Sequence, residues 1–224
     1  LALHNRGLAA RSFDGGQAGI VTDTCFGGAR ILDVNPSPVA ASLAAGEIPV
    51  VTGFQGSTRD GRTTTLGRGG SDITAVALGH THRADRVVVY RHVEGVHSAD
   101  PRMLPLTYRM ERLDYDSMID LAEAGAALLH PQALELARAH ALPLEVRGIT
   151  STSDSTFIGE SSAVSHLPVW MIVLSHPVAT LSVDSLPHDT GTIARLLHLL
   201  DRTDLCVDGC VQSTDSRTGL CLTL

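Results

Sequence analysis

The sequence contains no lysine; all 17 of its basic residues are arginines. This absence excludes chemistry that needs an ammonium group, such as a lysine Schiff base or the lysine of a P-loop. A phosphate or carboxylate bound by a side-chain cation of this chain would therefore have to be neutralised mainly by arginine.

Aromatic residues and net positive charge are also scarce. Phe, Trp and Tyr together make up 4% of the chain, and the formal net charge is -7. A nucleic-acid surface needs basic patches and aromatic stacking platforms, so we expect no nucleic-acid partner. No apolar run approaches the roughly 18 to 20 residues of a membrane span, so no membrane contact is expected.

Cysteine is sparse and forms no metal-binding pattern. The four cysteines are Cys25, Cys206, Cys210 and Cys221, with no CxxC pair among them. This usage is typical of reduced thiols, and nothing after Leu1 indicates a signal peptide. We therefore expect a cytoplasmic protein without a metal site.

Strand and helix signals alternate through the first two thirds of the 224 residues. Such alternation predicts an α/β fold with a layered, mainly parallel sheet. A stretch rich in Ser, Thr, Asp and Gly at 148–162 separates a first domain, 1–150, from a second, 151–224. The second domain has the strand–helix–strand–strand order of a ferredoxin-like unit. Its expected elements are strands at 179–183, 206–212 and 220–224 and a helix at 190–200.

Local signals place several elements of the first domain. The expected elements are a helix from Ser71, a strand within 84–93, two helices within 114–141 and a strand at 143–147. Ser71 and Asp72 are typical caps for the helix that follows them. His130-Pro131 predicts the break between the two later helices, and we expect Glu145 and Arg147 on the solvent face of their strand.

The strongest candidate for a binding site is a glycine-rich loop that runs into a helix. It comprises Gly53-Phe-Gln-Gly56 and then the segment Thr63–Asp72. Amides of Gly67, Gly69 and Gly70 can point at an anion, with help from the helix dipole. Within the same segment, Arg68 offers a guanidinium fork for a carboxylate or phosphate. Asp72 is compatible with helix capping, with holding an amine, or with acting as a general base.

These residues resemble the aspartate kinases of the amino acid kinase family. The motifs that carry the resemblance are Gln17-Ala-Gly-Ile-x-Thr-Asp23, Gly53-Phe-Gln-Gly56, Thr64-Thr-Leu-Gly-Arg-Gly-Gly-Ser-Asp72, Gly95-x-x-x-Ala-Asp-Pro-Arg102, Leu129-His-Pro131, Asp189-x-Gly191 and Val207-Asp208-x-x-Val-Gln212. The resemblance implies an amino acid kinase fold that phosphorylates the side-chain carboxylate of L-aspartate with Mg-ATP. It also implies a C-terminal ACT-like module, through which subunits pair as a homodimer and bind an effector.

The resemblance assigns roles to individual residues. Arg68 and Asp72 would lie at the aspartate, with Arg68 holding a carboxylate. The other residues expected at the substrate are Gly53, Gly56, Thr64, Thr65, Gly69, Gly70 and Ser71. The residues expected at the nucleotide are Gly95, Asp100 and Arg102.

The sequence departs from the family pattern where charge matters most. The family's Lys-Phe-Gly-Gly-Thr loop is not in the sequence, Ala127 replaces a lysine, and the chain contains about one ACT module instead of two. Arg91-His92 stands where a Thr-Asp pair is usual, and His97 replaces a tyrosine, so His92 and His97 become candidate acid–base groups. Arg91 is compatible with replacing a lost ammonium or with a solvated strand end.

Three functions remain compatible with these residues. The first is an aspartate kinase that uses Mg-ATP, and the second is a repurposed enzyme that performs an ATP-independent isomerisation or cyclisation by acid–base chemistry. The third is a non-catalytic regulatory homologue. Phosphoryl transfer depends on charge neutralisation, and losing one preorganised donor costs about 100- to 1,000-fold in rate. The missing lysines therefore weigh against a kinase unless arginines replace them.

Overall fold

The computed structural model divides the chain into two units, Leu1–Leu174 and Ser175–Leu224. The residues that it describes are 1–104, 106–126, 128–150, 154–160, 172–173, 180–183, 191, 194–195, 198, 209–212 and 220–223.

The first part of the larger unit carries short strands around a small core. Its strands are β1 (Ala10–Phe13), β2 (Ile20–Thr22), β3 (Ile31–Val34), β4 (Ile48–Val51), β5 (Gln55–Ser57) and β6 (Thr63–Thr65), and its helix is α1 (Ser37–Ala44). β1 and β4 pair in parallel, and the other four strands form a sheet in the order β3-β2-β5-β6. Phe13, Ala18 and Val39 are buried together beneath them.

A mixed four-stranded sheet forms the centre of the remainder of this unit. Its strands are β7 (Val87–Arg91), β10 (Arg112–Asp114), β11 (Leu144–Gly148) and β12 (Ser155–Gly159), in the order β10-β12-β11-β7. The helices beside it are α2 (Gly70–Thr81), α3 (Tyr115–Glu123) and α4 (Pro131–Ala139). Alternate strand residues such as Leu144 and Val146 are fully buried against helical residues such as Met118 and Leu134, as the period of two in a strand requires. The predicted α/β class is confirmed.

Pro131 separates two helices as predicted. α4 begins at Pro131, where a missing N–H costs nothing, and the His130 side chain accepts a hydrogen bond from the Gln132 N–H. The capping expected of Ser71 and Asp72 is wrong. α2 already begins at Gly70, and Gly69 is its N-cap residue, without a side-chain hydrogen bond.

The larger unit extends beyond the boundary expected at residue 150. β12 pairs with β10 and with β11, which ties residues 155–159 into the sheet of the first unit. The polar composition of 148–162 predicted a boundary there. The backbone hydrogen bonds of β12 show that this strand belongs to the first unit.

The smaller unit contains an antiparallel sheet. Its strands are β13 (Thr180–Val183), β14 (Gly209–Gln212) and β15 (Leu220–Thr223), in the order β13-β15-β14. Each lies within a strand predicted from the sequence, whereas the helix predicted at 190–200 lies largely outside the described residues. Within the described residues, no helix is long and apolar enough to cross a membrane.

Candidate functional site

The glycine-rich loop and α4 meet at the N-terminus of α2. Gly69 has φ +74°, and a Cβ atom there would lie 2.1 Å from Cγ of His130. Only glycine accepts both the left-handed backbone and this close approach. The sequence Gly-Gly at 69–70 therefore places the His130 ring directly against the beginning of α2.

Asp72 joins three segments at this point. In the first turn of α2, its Oδ1 and Oδ2 accept hydrogen bonds from Nη2 of Arg91 at 2.7 and 2.9 Å. Oδ2 also accepts from the backbone N–H of His130 at 3.3 Å. Both carboxylate oxygens are thus directed at donors of the protein, an arrangement that holds neighbouring groups in place.

Arg91 is not the solvated strand end that its position in the sequence allowed. Its Nε donates to the carbonyl oxygen of Leu128 at 2.7 Å, in addition to the ion pair with Asp72. The side chains of Arg91 and Asp72 are only 31% and 16% exposed. Hydrogen bonds to charged groups each contribute about 1.5–3 kcal/mol, so this network links β7, α2 and the loop before α4 firmly.

A second set of contacts fixes the Gly53-Phe-Gln-Gly56 turn against α2. Phe54 has φ +72°, and its N–H donates to Oγ1 of Thr74 at 3.2 Å. The Thr74 hydroxyl in turn donates to the carbonyl of Gly70 at 2.8 Å. A Cβ atom on Gly53 would lie 3.0 Å from Oγ of Ser71, so the turn and the helix start are in close contact. Gly70 is buried and Ser71 is exposed.

Arg68 lies at the exposed edge of this loop. Its side chain makes no hydrogen bond or ion pair with the described residues. An unpaired guanidinium beside helix-start amides is suited to a carboxylate or phosphate. Arg68 is therefore the cation of the loop that is available for a ligand.

Three of the expected substrate residues have close contacts within the protein. Gly56 is buried, and a Cβ atom there would lie 2.5 Å from Cγ2 of Thr22. The buried Thr64 hydroxyl shares a hydrogen bond of 2.7 Å with the hydroxyl of Thr22. Thr65 donates its hydroxyl proton to the carbonyl of Phe26 at 2.8 Å. These contacts fix Gly56, Thr64 and Thr65 within the protein, and their role at the substrate stays a prediction.

The expected nucleotide loop leads into a short hairpin, in which β8 (Val96–His97) pairs with β9 (Arg109–Met110). Gly95 precedes it with φ +91°, and a Cβ atom there would lie 2.6 Å from Oγ1 of Thr156. Nδ1 of His97 lies 3.3 Å from Oγ1 of Thr107. His92 is exposed. The hairpin therefore brings His97 close to Thr107 and leaves His92 open to solvent.

Arg102 and Asp100 form a local ion pair in the same loop. Nε of Arg102 donates to Oδ1 and Oδ2 of Asp100 at 3.0 and 3.1 Å, and Nη2 donates to Oδ2 at 2.6 Å. These hydrogen bonds, then the charge of Arg102, hold the pKa of Asp100 below its usual value and raise the pKa of Arg102. Arg102 remains 83% exposed, so an incoming phosphate would compete with Asp100 for it.

Sequence reasoning placed Asp72 and Arg91 separately but missed their ion pair. The only sequence signal for this ion pair was the position of Arg91, at the end of a strand that precedes the candidate nucleotide loop. The contact of His130 with Gly69 was also missed. Ala127, the position of the missing lysine, lies outside the described residues.

A pair of histidines, His80 and His140, lies at the C-terminal end of α2. The ring of His80 stacks on that of His140, with 3.5 Å between ring centroids. Among the residues that the structure describes, no three His, Cys, Asp or Glu side chains are arranged to hold a metal ion. The stacked rings join the last turns of α2 and α4.

The chain is similar in sequence to known aspartokinases. Aspartokinase 2 of Bacillus subtilis (strain 168) is 39% identical over 222 residues, which cover 98% of this chain and 54% of the relative. The aspartokinase of Bacillus sp. (strain MGA3) is 37% identical over 220 residues, covering 97% of this chain and 54% of its own length. The chain thus spans about half the length of the curated relatives it matches.

A solved structure shares the fold. E. coli aspartokinase III in complex with lysine and aspartate superposes with a TM-score of 0.79 at 28% identity, covering 98% of this chain and 50% of that one. The same enzyme in complex with aspartate and ADP gives a TM-score of 0.74 at 26% identity, covering 99% and 51%. A model of the amino acid kinase family matches residues 1–148, which confirms the resemblance noted in the sequence: this chain belongs to the amino acid kinase family, and its relatives there are aspartokinases.

Proposed function

We propose that this chain is an aspartokinase-like protein that binds L-aspartate through a carboxylate at the Arg68 loop. The observation that carries the proposal is the exposed, unpaired Arg68 beside the start of α2, within the described residues. A guanidinium binds a carboxylate through two parallel hydrogen bonds, and the helix start adds a positive dipole end. Aspartate is one of the two ligands in each of the two complexes of E. coli aspartokinase III.

The reaction proposed for the site is phosphorylation of the side-chain carboxylate of L-aspartate. When bound, Mg-ATP would supply the phosphoryl group, and the residues that would hold it are Gly95 and Arg102. Arg102 is 83% exposed, so a polyphosphate could reach it and would compete with Asp100 for its guanidinium. Arg68 would orient the aspartate, and the contact of Gly69 with His130 would keep the helix start rigid beneath it.

An ATP-independent acid–base enzyme is the second candidate. Arg102 is already paired with Asp100, and two histidines accompany the loop in which the family has other residues. His97 is held by Thr107 through one ring nitrogen, and such an arrangement orients the other nitrogen for proton transfer. This candidate predicts that turnover of a carboxylate substrate depends on His97 or His92 and not on ATP.

One set of assays separates these functions. The chain and its Arg68→Gln and His97→Ala variants would be titrated with L-aspartate and with Mg-ATP by calorimetry, and aspartyl phosphate would be trapped with hydroxylamine. We expect Arg68→Gln to lower the rate of aspartyl phosphate formation about 100- to 1,000-fold, since it removes one preorganised donor. Arg138→Gln, which breaks an exposed ion pair with Asp116, is the matched control and should retain full activity.

The proposal fails if the chain does not bind L-aspartate, or if Arg68→Gln binds it as well as the unmodified protein does. Aspartate binding without aspartyl phosphate would favour the second candidate if His97→Ala abolished turnover. Binding without any turnover would identify a non-catalytic regulatory homologue.

A further inference from the structure

The ion pair with Asp72 holds the guanidinium of Arg91 in one orientation beside the start of α2. We propose that Arg91 is a second anion-binding guanidinium, which contacts the carboxylate or phosphate of the bound molecule, and that Asp72 is the residue that positions it. This inference rests on the proposed function only for the presence of a substrate at the start of α2.

The hydrogen bonds of Arg91 leave one edge of its guanidinium available. Nε donates to the Leu128 carbonyl, and Nη2 donates to both oxygens of Asp72. Nη1 has no hydrogen-bond partner among the described residues, and the side chain is 31% exposed. An arginine carries five N–H donors in a fixed plane, so the two on Nη1 keep a defined direction. Such a preorganised donor needs no reordering when an anion binds.

The surroundings of Arg91 favour an anion. Asp72 lies in the first turn of α2, and His130, the N-cap residue of α4, packs against Gly69 in front of the same turn. The N-terminal ends of two helices, of 12 and 9 residues, thus adjoin the pair. Each end has a partial positive charge, which offsets the carboxylate of Asp72 and favours a further negative group.

This arrangement also decides among the roles left open for Asp72. Its two oxygens accept from Arg91, and Oδ2 accepts from the His130 N–H as well. A carboxylate so engaged holds the guanidinium in one orientation. Asp72 then acts through Arg91, and removal of Asp72 should harm binding only while Arg91 is present.

A double-mutant cycle on the full chain tests this inference. Arg91→Gln, Asp72→Asn and the double variant would be titrated with L-aspartate and, separately, with inorganic phosphate. We expect about 30-fold weaker binding for Arg91→Gln, typical of losing a charged hydrogen bond, and about 5-fold for Asp72→Asn, which acts only through Arg91. The double variant should bind as Arg91→Gln does, because the effects of coupled residues are not additive. Arg138→Gln is the control and should bind normally.

Further measurements separate binding from folding. Arg91→Lys keeps the charge but lacks the planar fork that bonds Leu128 and Asp72 while Nη1 keeps a fixed direction, so it should recover only part of the affinity. Additive losses in the cycle, or a folded Arg91→Gln or Arg91→Lys protein with unchanged affinity for both probes, would overturn the inference and leave the proposed function intact. Phosphate binding that depends on Arg91, without L-aspartate binding, would support the inference and reject the proposed substrate. Failure of the unmodified chain to bind either probe would reject both.

Discussion

At the residue scale, Glu145 shows how a charge can be buried in this sheet. Although a solvent-facing position was expected, the side chain is 1% exposed and lies between two arginines. Nε of Arg86 is 2.9 Å from Oε2, and Nε of Arg147 is 2.6 Å from Oε1. Burial by itself raises the pKa of Glu145, but hydrogen bonds from Arg147 and Ser155 and the charges of both arginines outweigh it, so the pKa is lowered overall.

The lowered pKa of Glu145 gives a pH-dependent prediction. Since the folded protein binds the proton less tightly than the unfolded chain, the stabilisation is present above the unfolded pKa and is lost as pH falls through the folded one. Glu145→Gln should lower the free energy of unfolding by about 2 kcal/mol at pH 7 and by progressively less below about pH 4.5. Urea unfolding at several pH values measures this, and an equal loss at every pH would contradict it.

At the element scale, the start of α2 depends on a glycine that serves two purposes. Gly69 supplies the left-handed N-cap conformation, and its missing side chain makes room for the ring of His130. The chain offers a close comparison in Gly46, which follows α1 at the same φ of +74°. A Cβ atom on Gly46 would have no neighbouring atom within 4 Å.

The two glycines separate backbone strain from packing. Gly46→Ala should cost about 1–2 kcal/mol, because an L-residue is strained at positive φ. Gly69→Ala should cost about 1–3 kcal/mol more, since His130 must move as well. Thermal unfolding of both variants measures the difference, and L-aspartate titration should show weaker binding only for Gly69→Ala. Equal destabilisation by the two substitutions would show that the His130 contact is not tight.

At the scale of the whole molecule, the strands of the smaller unit allow a prediction about the association of two chains. The described strands form the sheet β13-β15-β14, in which β13 and β14 are edge strands. Edge strands carry unpaired backbone donors and acceptors that can pair with a second copy. The family resemblance assigns pairing to an ACT-like module in this part of the chain.

We therefore predict that the full chain is a homodimer and that a chain ending at Leu174 is a monomer. Light scattering after size exclusion measures both masses. Calorimetry should give the shortened chain unchanged affinity for L-aspartate, since the Arg68 loop and Arg91 lie in the first unit. A monomeric full chain, or a shortened chain that still dimerises, would contradict the prediction.

Much of the fold followed from local sequence signals. Short apolar stretches predicted strands within 84–93 and at 143–147, where β7 and β11 lie, and the Pro131 break separated α3 from α4, because these signals act within a few residues. The unit boundary and the start of α2 could not be predicted in this way. β12 belongs to the first sheet through pairing with distant strands, and the N-cap residue Gly69 packs against His130, which is distant in the sequence.

The sequence by itself determined the family, the α/β class and the absence of any lysine ammonium group, since motifs and composition need no coordinates. Only the tertiary structure decided which cation lies beside Asp72. Arg91 and Asp72 are 19 residues apart, and Leu128 is 37 residues beyond Arg91. No local pattern specifies such contacts, because they form only when the end of β7, the start of α2 and the loop before α4 pack together.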